Sequence, residues 1–312
     1  MLIDELKREV EKIPVKEDQE GTPGERAWNS YMNDLRELIL HDDLREFLHW
    51  QPLVQTMFVE SPPYIRTELQ HLTGREDWQP RWAAAIQESP IGRPTPCVFY
   101  PASSGNLIHH AYHVCQFEEK TGISAERIAF VFEFGGGYGS MCRLFHKLGF
   151  QGRYVIYDLP VFSALQKYYL RSLGLPVYPL ETLMSSTAGI TCLAGLETLD
   201  RLWGNHTQQT ASLFLATWSL SETPVSLRQR LSALVPPFDA YLISYQKHFH
   251  EVDNREFFGR WKNQHRNIQW HEWEIGHLPQ NYYLIGVGTR PGQGITPPAL
   301  LPFLSRMGAE VP

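Results

Sequence analysis

One turn in this 312-residue chain has the make-up of a ligand cradle: Glu133-Phe134-Gly135-Gly136-Gly137-Tyr138-Gly139-Ser140. Glycines remove the Cβ atoms that would hold a ligand off the backbone, and a helix starting behind them offers N–H groups to a carboxylate or phosphate. Two cofactor classes use such a turn. A dinucleotide fingerprint requires Gly-x-Gly-x-x-Gly, and counting from Gly135 the sixth position is Ser140, so the third glycine is missing. Asp158, 21 residues beyond Gly137, is placed to hold ribose hydroxyls in either class. His109, His110 and His113 form a second group. Positions 109 and 113, like 110 and 113, are one helical turn apart, so two imidazoles could share a metal ion or a substrate group. No His-Glu-x-x-His pattern accompanies them, and no metal is expected. The cysteines at 97, 115, 142 and 192 are too widely spaced for a zinc site and read as reduced, buried thiols.

The elements that must position these residues fall into three parts. Residues 1–125 read as a helical cap or substrate region. Leu2, Leu6 and Val10 mark one helical face, a stretch from Glu25 to Trp50 marks another, and the run after Pro101 is a capped helix carrying the three histidines. Residues 126–290 alternate strands with helices. The expected strands are 128–134, 154–160, 175–180, 211–222, 240–246, 267–275 and 281–289. Continuous apolar strands alternating with helices imply a parallel sheet covered on both faces, and the short connector His277-Leu278-Pro279-Gln280 makes the last pair an antiparallel hairpin. The expected fold is therefore α/β: a doubly wound, mostly parallel seven-stranded sheet ending in an antiparallel hairpin. Residues 291–312 form a Pro-rich tail, expected to pack loosely or to swap onto a partner copy as a homodimer.

Read as acidic-x-Gly-x-Gly-x-Gly, Glu133, Gly135, Gly137 and Gly139 fit every position of the turn. That pattern resembles motif I of S-adenosylmethionine-dependent methyltransferases, whose sheet also ends in an antiparallel pair. Over about residues 100–289 the chain resembles the sugar O-methyltransferase family of Rossmann-like methyltransferases. The resemblance is carried by the turn, by Tyr154-Val155-Ile156-Tyr157-Asp158-Leu159-Pro160, by Trp218-Ser219-Leu220-Ser221-Glu222, and by Tyr245-Gln246 with Asp253-Asn254. It implies S-adenosyl-L-methionine as cofactor and a hydroxyl of a sugar or sugar-like small molecule as acceptor. An amine or phenol acceptor, or a binding protein without turnover, would share the cofactor half.

The resemblance implies that Glu133 and Gly135, Gly136 and Gly137 meet the methionine end, Asp158 the ribose and Leu159 the adenine edge. Tyr138 would close over the methionine chain or face solvent, and Trp218 falls with the cofactor residues. A protonated alcohol is a poor nucleophile, so a base is expected on the loops leaving the central strands. His248 and His250 follow one such strand and Glu222 another; the alternatives are surface histidines and a helix-start carboxylate. Asp253 with Glu256 reads as a capping pair rather than as catalytic machinery. Asn106, His110, His113, Tyr245 and Gln246 are expected to bind the acceptor.

Composition fits a soluble globular chain that can bury a full core. With 28 Lys+Arg against 34 Asp+Glu the formal charge is −6, 43% of residues are apolar and 20% charged, which excludes disorder, collagen and coiled coil. No basic run exists to displace counterions from a nucleic acid, and no stretch reads as a signal peptide or membrane span, so a cytoplasmic setting without nucleic-acid or membrane partners is expected. Eight of the 13 His lie in two windows, 109–113 and 248–277, and were these on either side of the donor site they would build the acceptor pocket.

Overall fold

The computed structural model describes residues 1–15, 22–204 and 211–289. Its strands are β1 (Phe130–Phe134), β2 (Arg153–Tyr157), β3 (Gly189–Leu193), β4 (Ser212–Thr217), β5 (Ala240–Gln246), the short hairpin β6 (His248–Phe249) and β7 (Val252–Asp253), β8 (Ile268–Glu274) and β9 (Asn281–Gly288). Seven of them form one sheet in the order β3-β2-β1-β4-β5-β9-β8. The first five run parallel, while β9 is antiparallel to both β5 and β8. Strand order reverses beside β1, so the clefts beyond the carboxyl ends of β1 and β4 are where an open α/β sheet takes its ligand.

Side chains alternate across this sheet with the period of two that pleating dictates. Val131, Tyr154, Ile156, Leu215 and Leu242 enter one core, and Phe130, Phe132, Val155, Phe214 and Tyr241 enter the other. The first core is covered by α7 (Ser140–Lys147), α8 (Pro160–Ser172) and the amino-terminal helices, and the second by α9 (Leu180–Ser185), α10 (Leu196–Gly204), α11 (Val225–Leu234) and α12 (Asn254–Gln264). Burial on both faces explains why the parallel strands read as unbroken apolar runs.

The expected strand at 175–180 is corrected. Pro176 and Pro179 each lack an N–H, so this segment makes only an isolated bridge, Val177 to Ile190, and Leu180 already begins α9. The third strand is Gly189–Leu193, buried at every position. The strand expected over 211–222 ends at Thr217, and Ser219–Glu222 turns as a 3₁₀ helix.

The amino-terminal region supplies α1 (Leu2–Glu11), α2 (Pro23–His41), α3 (Gln51–Thr56), α4 (Pro63–Thr73), α5 (Ala83–Ala85) and α6 (Gly105–Thr121). Helix α2 starts with a full capping box: Thr22 Oγ1 accepts from the Glu25 N–H at 3.3 Å, and the Glu25 carboxylate accepts from the Thr22 N–H at 2.8 Å. Helix α6 is capped by Ser104, whose Oγ accepts from the Leu107 N–H at 3.1 Å. Leu6, Leu35, Leu53, Ile65 and Leu107 of these helices share the first core with the sheet. The four cysteines are free and buried, as expected. No helix among the described residues is long and apolar enough to cross a membrane. The proposed tail, 291–312, lies outside the described residues.

Candidate active site

The chain leaves β1 through a turn whose backbone only glycine adopts easily, with φ of +72° at Gly135 and +57° at Gly137. A Cβ on Gly135 would also lie 2.3 Å from that of Ser219, so the turns after β1 and β4 are in direct contact. Asp158, at the end of β2, is drawn into this turn. Its carboxylate accepts from the N–H of Gly137 at 3.1 Å, the N–H of Leu159 at 2.8 Å and the side-chain amide of Gln166 at 2.7 Å. Burial pushes its carboxyl up to about 7, against the lowering by those donors. Glu133, 2% exposed, accepts from the Tyr154 hydroxyl at 2.9 Å, and burial pushes it up to about 8.

A cavity of about 740 Å³ opens from this turn and passes between the sheet and the amino-terminal helices. One end is bordered by Gly135, Gly136 and Gly137, Asp158, Leu159 and Leu196. The other is bordered by Tyr64 of α4, His109 and His110 of α6, Trp218 and Glu222, while Trp28 and Asn29 of α2 border the cavity beside Phe162 in the first turn of α8. The volume lies within the range of small-molecule sites.

Trp218 joins the two ends. It ends β4 with φ +61° and ψ −36°, a strained backbone for a bulky residue. Three contacts hold it there: its N–H donates to the Ser244 carbonyl at 2.8 Å, its indole N–H donates to Asn281 Oδ1 at 2.7 Å, and its ring stacks on His109 at 5.3 Å. Glu222, four residues on, is half-buried in the cavity wall and receives one hydrogen bond, from the Gln246 amide at 3.3 Å. Burial pushes its carboxyl up to about 7, so it is poised to exchange a proton near neutrality. Helix α11 has no side-chain cap hydrogen bond, so Glu222 is not its cap.

Behind His109 lies Glu68, fully buried on α4. Its carboxylate accepts from His109 Nδ1 at 2.8 Å and from His277 Nε2 at 2.8 Å. Burial raises the Glu68 carboxyl, but the two imidazoles more than offset this and hold it below its ordinary value, as an anion. Neighbouring His113 is fully buried, bonded through Nδ1 to the Tyr283 hydroxyl at 2.5 Å, with Nε2 unpartnered among the described residues. Burial lowers the ring of His113 well below the usual histidine range and that of His110 to about 3, so both are neutral.

The expected residues thus separate. Glu133, Gly135, Gly136, Gly137, Tyr138, Asp158, Leu159, Trp218, Glu222, Asn106 and His110 all border the cavity. Tyr138 does not face solvent: it is 1% exposed, takes a hydrogen bond from the Asn106 amide at 3.0 Å and packs against Phe47 and Tyr169. His248 and His250 are exposed on the β6–β7 hairpin and do not border the cavity; the hairpin lies against the start of α2, where a Cβ on Gly24 would be 3.6 Å from the His250 ring. Tyr245 points to the opposite face of the sheet, where its hydroxyl meets Glu272 and its ring packs on Phe258. Gln246 acts one step back, between Ser221 and Glu222. His113 likewise lies behind the cavity wall, and Asp253 caps α12 through the Glu256 N–H at 3.0 Å.

Sequence reasoning missed Glu68 and underweighted His109. The available signal was a carboxylate at the buried spacing of α4, between Ile65 and Leu72 and beside Leu69. Among the described residues one group has ligating geometry: His71, Cys115 and Glu119 place their ligand atoms within 4.8 Å of one another. The Arg75 guanidinium already pairs with Glu119 and reaches Cys115 Sγ at 3.4 Å, putting a fixed cation where a metal ion would have to sit.

The sheet order, the antiparallel β9 and the acidic glycine turn after β1 define a Rossmann-like fold of the methyltransferase type. No family model and no curated protein matches the chain. Solved structures similar to it include cofactor-bound Rv0187 from MTB, at 13% identity over 74% of this chain and 99% of that one, with a TM-score of 0.43. An O-methyltransferase from Bacillus cereus in complex with SAH matches at 10% identity over 75% and 94% of the two chains, with a TM-score of 0.40. The SAH-bound Podospora anserina methyltransferase PaMTH1 matches at 8% identity over 73% and 89%, with a TM-score of 0.36.

Proposed function

We propose that this protein transfers a methyl group from S-adenosylmethionine to a hydroxyl of a small, sugar-like molecule. The observation that carries the reading is one continuous cavity, which joins a glycine turn and ribose-type carboxylate at one end to a carboxyl tuned near neutrality at the other. The donor set fits the cofactor. Glu133 and the backbone of Gly135, Gly136 and Gly137 suit its amino-acid end, Asp158 its ribose hydroxyls, and Leu159 with Leu196 the flat adenine edge. When bound, the cofactor supplies an electrophilic methyl carbon on a positively charged sulfur.

What the chain contributes is position, dryness and a proton acceptor. Trp218, fixed by Asn281 and His109, separates and aligns the two ends of the cavity. Glu222 takes the proton of the acceptor hydroxyl, and Gln246 holds its carboxyl in place. The sugar-like acceptor is supported by the aromatic faces of Tyr64 and Trp218 with the polar edge of Asn281, a pairing suited to a ring with apolar faces and hydroxyl rims. Free buried thiols fit a reducing, cytoplasmic setting.

Calorimetric titration with S-adenosylmethionine tests the reading. Saturable one-site binding is expected, weakened about 10–100-fold in Asp158→Ala through loss of charge-assisted hydrogen bonds. Absence of binding to the wild-type protein at millimolar ligand would overturn it.

A further inference from the structure

We propose that Gln166 is a positioning residue of the donor site: its side-chain amide ties Asp158 to the glycine turn and so sets the direction in which that carboxylate meets the ribose. This deepens, and rests on, the methyl-transfer reading of the same cavity. Gln166 lies on α8 and is 0% exposed, but it does not border the cavity, so whatever it does for a ligand it does through its neighbours. Phe162, Leu165, Tyr169 and Leu170 of the same helix all enter the first core, which makes an amide at 166 a polar group in an apolar setting. Such a group is retained at a cost unless its hydrogen-bonding atoms find partners.

Both bonds of the amide nitrogen go to the same place. Nε2 donates to the Gly137 carbonyl at 2.8 Å and to Asp158 Oδ2 at 2.7 Å, while Oε1 is buried without a partner among the described residues. A carbonyl only accepts, so the nitrogen must face the turn and the oxygen is directed away from it. Gly137 is thereby held on both sides, since its own N–H donates to Asp158 Oδ2 at 3.1 Å. Its φ of +57° is reached because glycine is permissive, and the same permissiveness would let the peptide leave that conformation. The Gln166 amide removes the freedom that glycine brings.

Asp158 is constrained in turn. Oδ2 accepts from the Gly137 N–H and the Gln166 amide, and Oδ1 accepts from the Leu159 N–H at 2.8 Å. Of these three donors Gln166 alone is a side chain, so it can be removed without changing the sequence of the turn. A carboxylate that is already aimed loses little rotational freedom when a hydroxyl binds, and pre-organisation of this kind is realised as affinity.

The test uses the full chain and calorimetry, with S-adenosylhomocysteine and its 2′,3′-dideoxyribose analogue as probes. Gln166→Met keeps the length of the side chain without its donors, and Gln166→Asn keeps an amide that is one carbon too short to span both acceptors. The wild-type protein should bind S-adenosylhomocysteine more tightly than the analogue. Each variant should weaken S-adenosylhomocysteine about 10-fold and the analogue less than about threefold, because the lost orientation matters to a ligand that uses Asp158. Should the methionine variant not fold, the asparagine variant carries the same comparison. Equal weakening of the two ligands, or none, overturns the inference and leaves the methyl-transfer reading standing, as does equal affinity of the wild-type protein for both. Absence of binding of either ligand to the wild-type protein at millimolar concentration overturns that reading and the inference with it.

Discussion

The two ends of the cavity are built by different means. At the glycine-turn end the partners are near neighbours in sequence: Asp158 reaches Gly137 across 21 residues and Gln166 across 8, and Tyr154 reaches Glu133 across 21. At the opposite end Glu68 binds His277 across 209 residues, His113 meets Tyr283 across 170, and Trp218 meets Asn281 across 63. One end takes most of its bonds from a strand–turn–helix unit and the next strand, with Ser219 and Asn106 reaching it from further away. The other exists only once the amino-terminal helices have docked on the sheet. The difference predicts that substitutions at the second end change turnover or stability and leave cofactor affinity intact.

The largest such effect is expected for Glu222→Gln. Its turnover should fall by ~10²–10⁴ in a methyl-transfer assay, with cofactor affinity by calorimetry unchanged within about twofold. In the wild-type protein the rate should climb as pH rises through about 7, because only the ionised carboxylate accepts a proton. The Glu222→Gln substitution should flatten that climb, and a wild-type profile that stays flat between pH 5 and 9 would remove Glu222 from the reaction.

Glu68→Ala probes the long-range side of the comparison. It removes the shared anion between His109 and His277, at a cost of about 1.5–3 kcal/mol for each charge-assisted hydrogen bond. Denaturant unfolding should register the loss, and turnover should drop as His109 loses the carboxylate that orients its ring. Cofactor affinity falling in parallel would show that the two ends are one cooperative unit.

Glu133→Gln sharpens the other side and is the smallest effect. Burial holds the folded carboxyl at about 8, against an ordinary value of 4.5, so between these the folded state keeps a proton that the unfolded chain releases. Stability from this group is therefore lost as pH rises through that window. The glutamine variant should melt a few degrees above wild type at pH 9 and equal to it at pH 4, by calorimetry or circular dichroism. An equal melting point at pH 9 would mean that the carboxylate is better solvated than its burial implies.

The glycine turn, Asp158 and the terminal hairpin were legible because each is a local pattern: fixed spacing after an apolar strand, or a connector too short for a crossover. The strand expected at 175–180 failed because an apolar run was read without giving its two prolines their full weight. For His248 and His250 the sequence was incomplete for a related reason. Sequence places them after β5, where a ligand site belongs, but only the fold shows that the β6–β7 hairpin leaves them exposed and off the cavity wall.

By itself, the sequence determined the doubly wound sheet and the glycine turn at the carboxyl end of its first strand, since strand periodicity, glycine turns and short connectors act over a few residues. Tertiary structure alone decided which histidine faces the cavity, which carboxylate stands behind it and that no lysine or arginine joins them among the described residues. Those outcomes depend on the docking of α4 on α6 and of α6 against β9, and residue spacing marks the apolar face of a helix without recording what that face packs against.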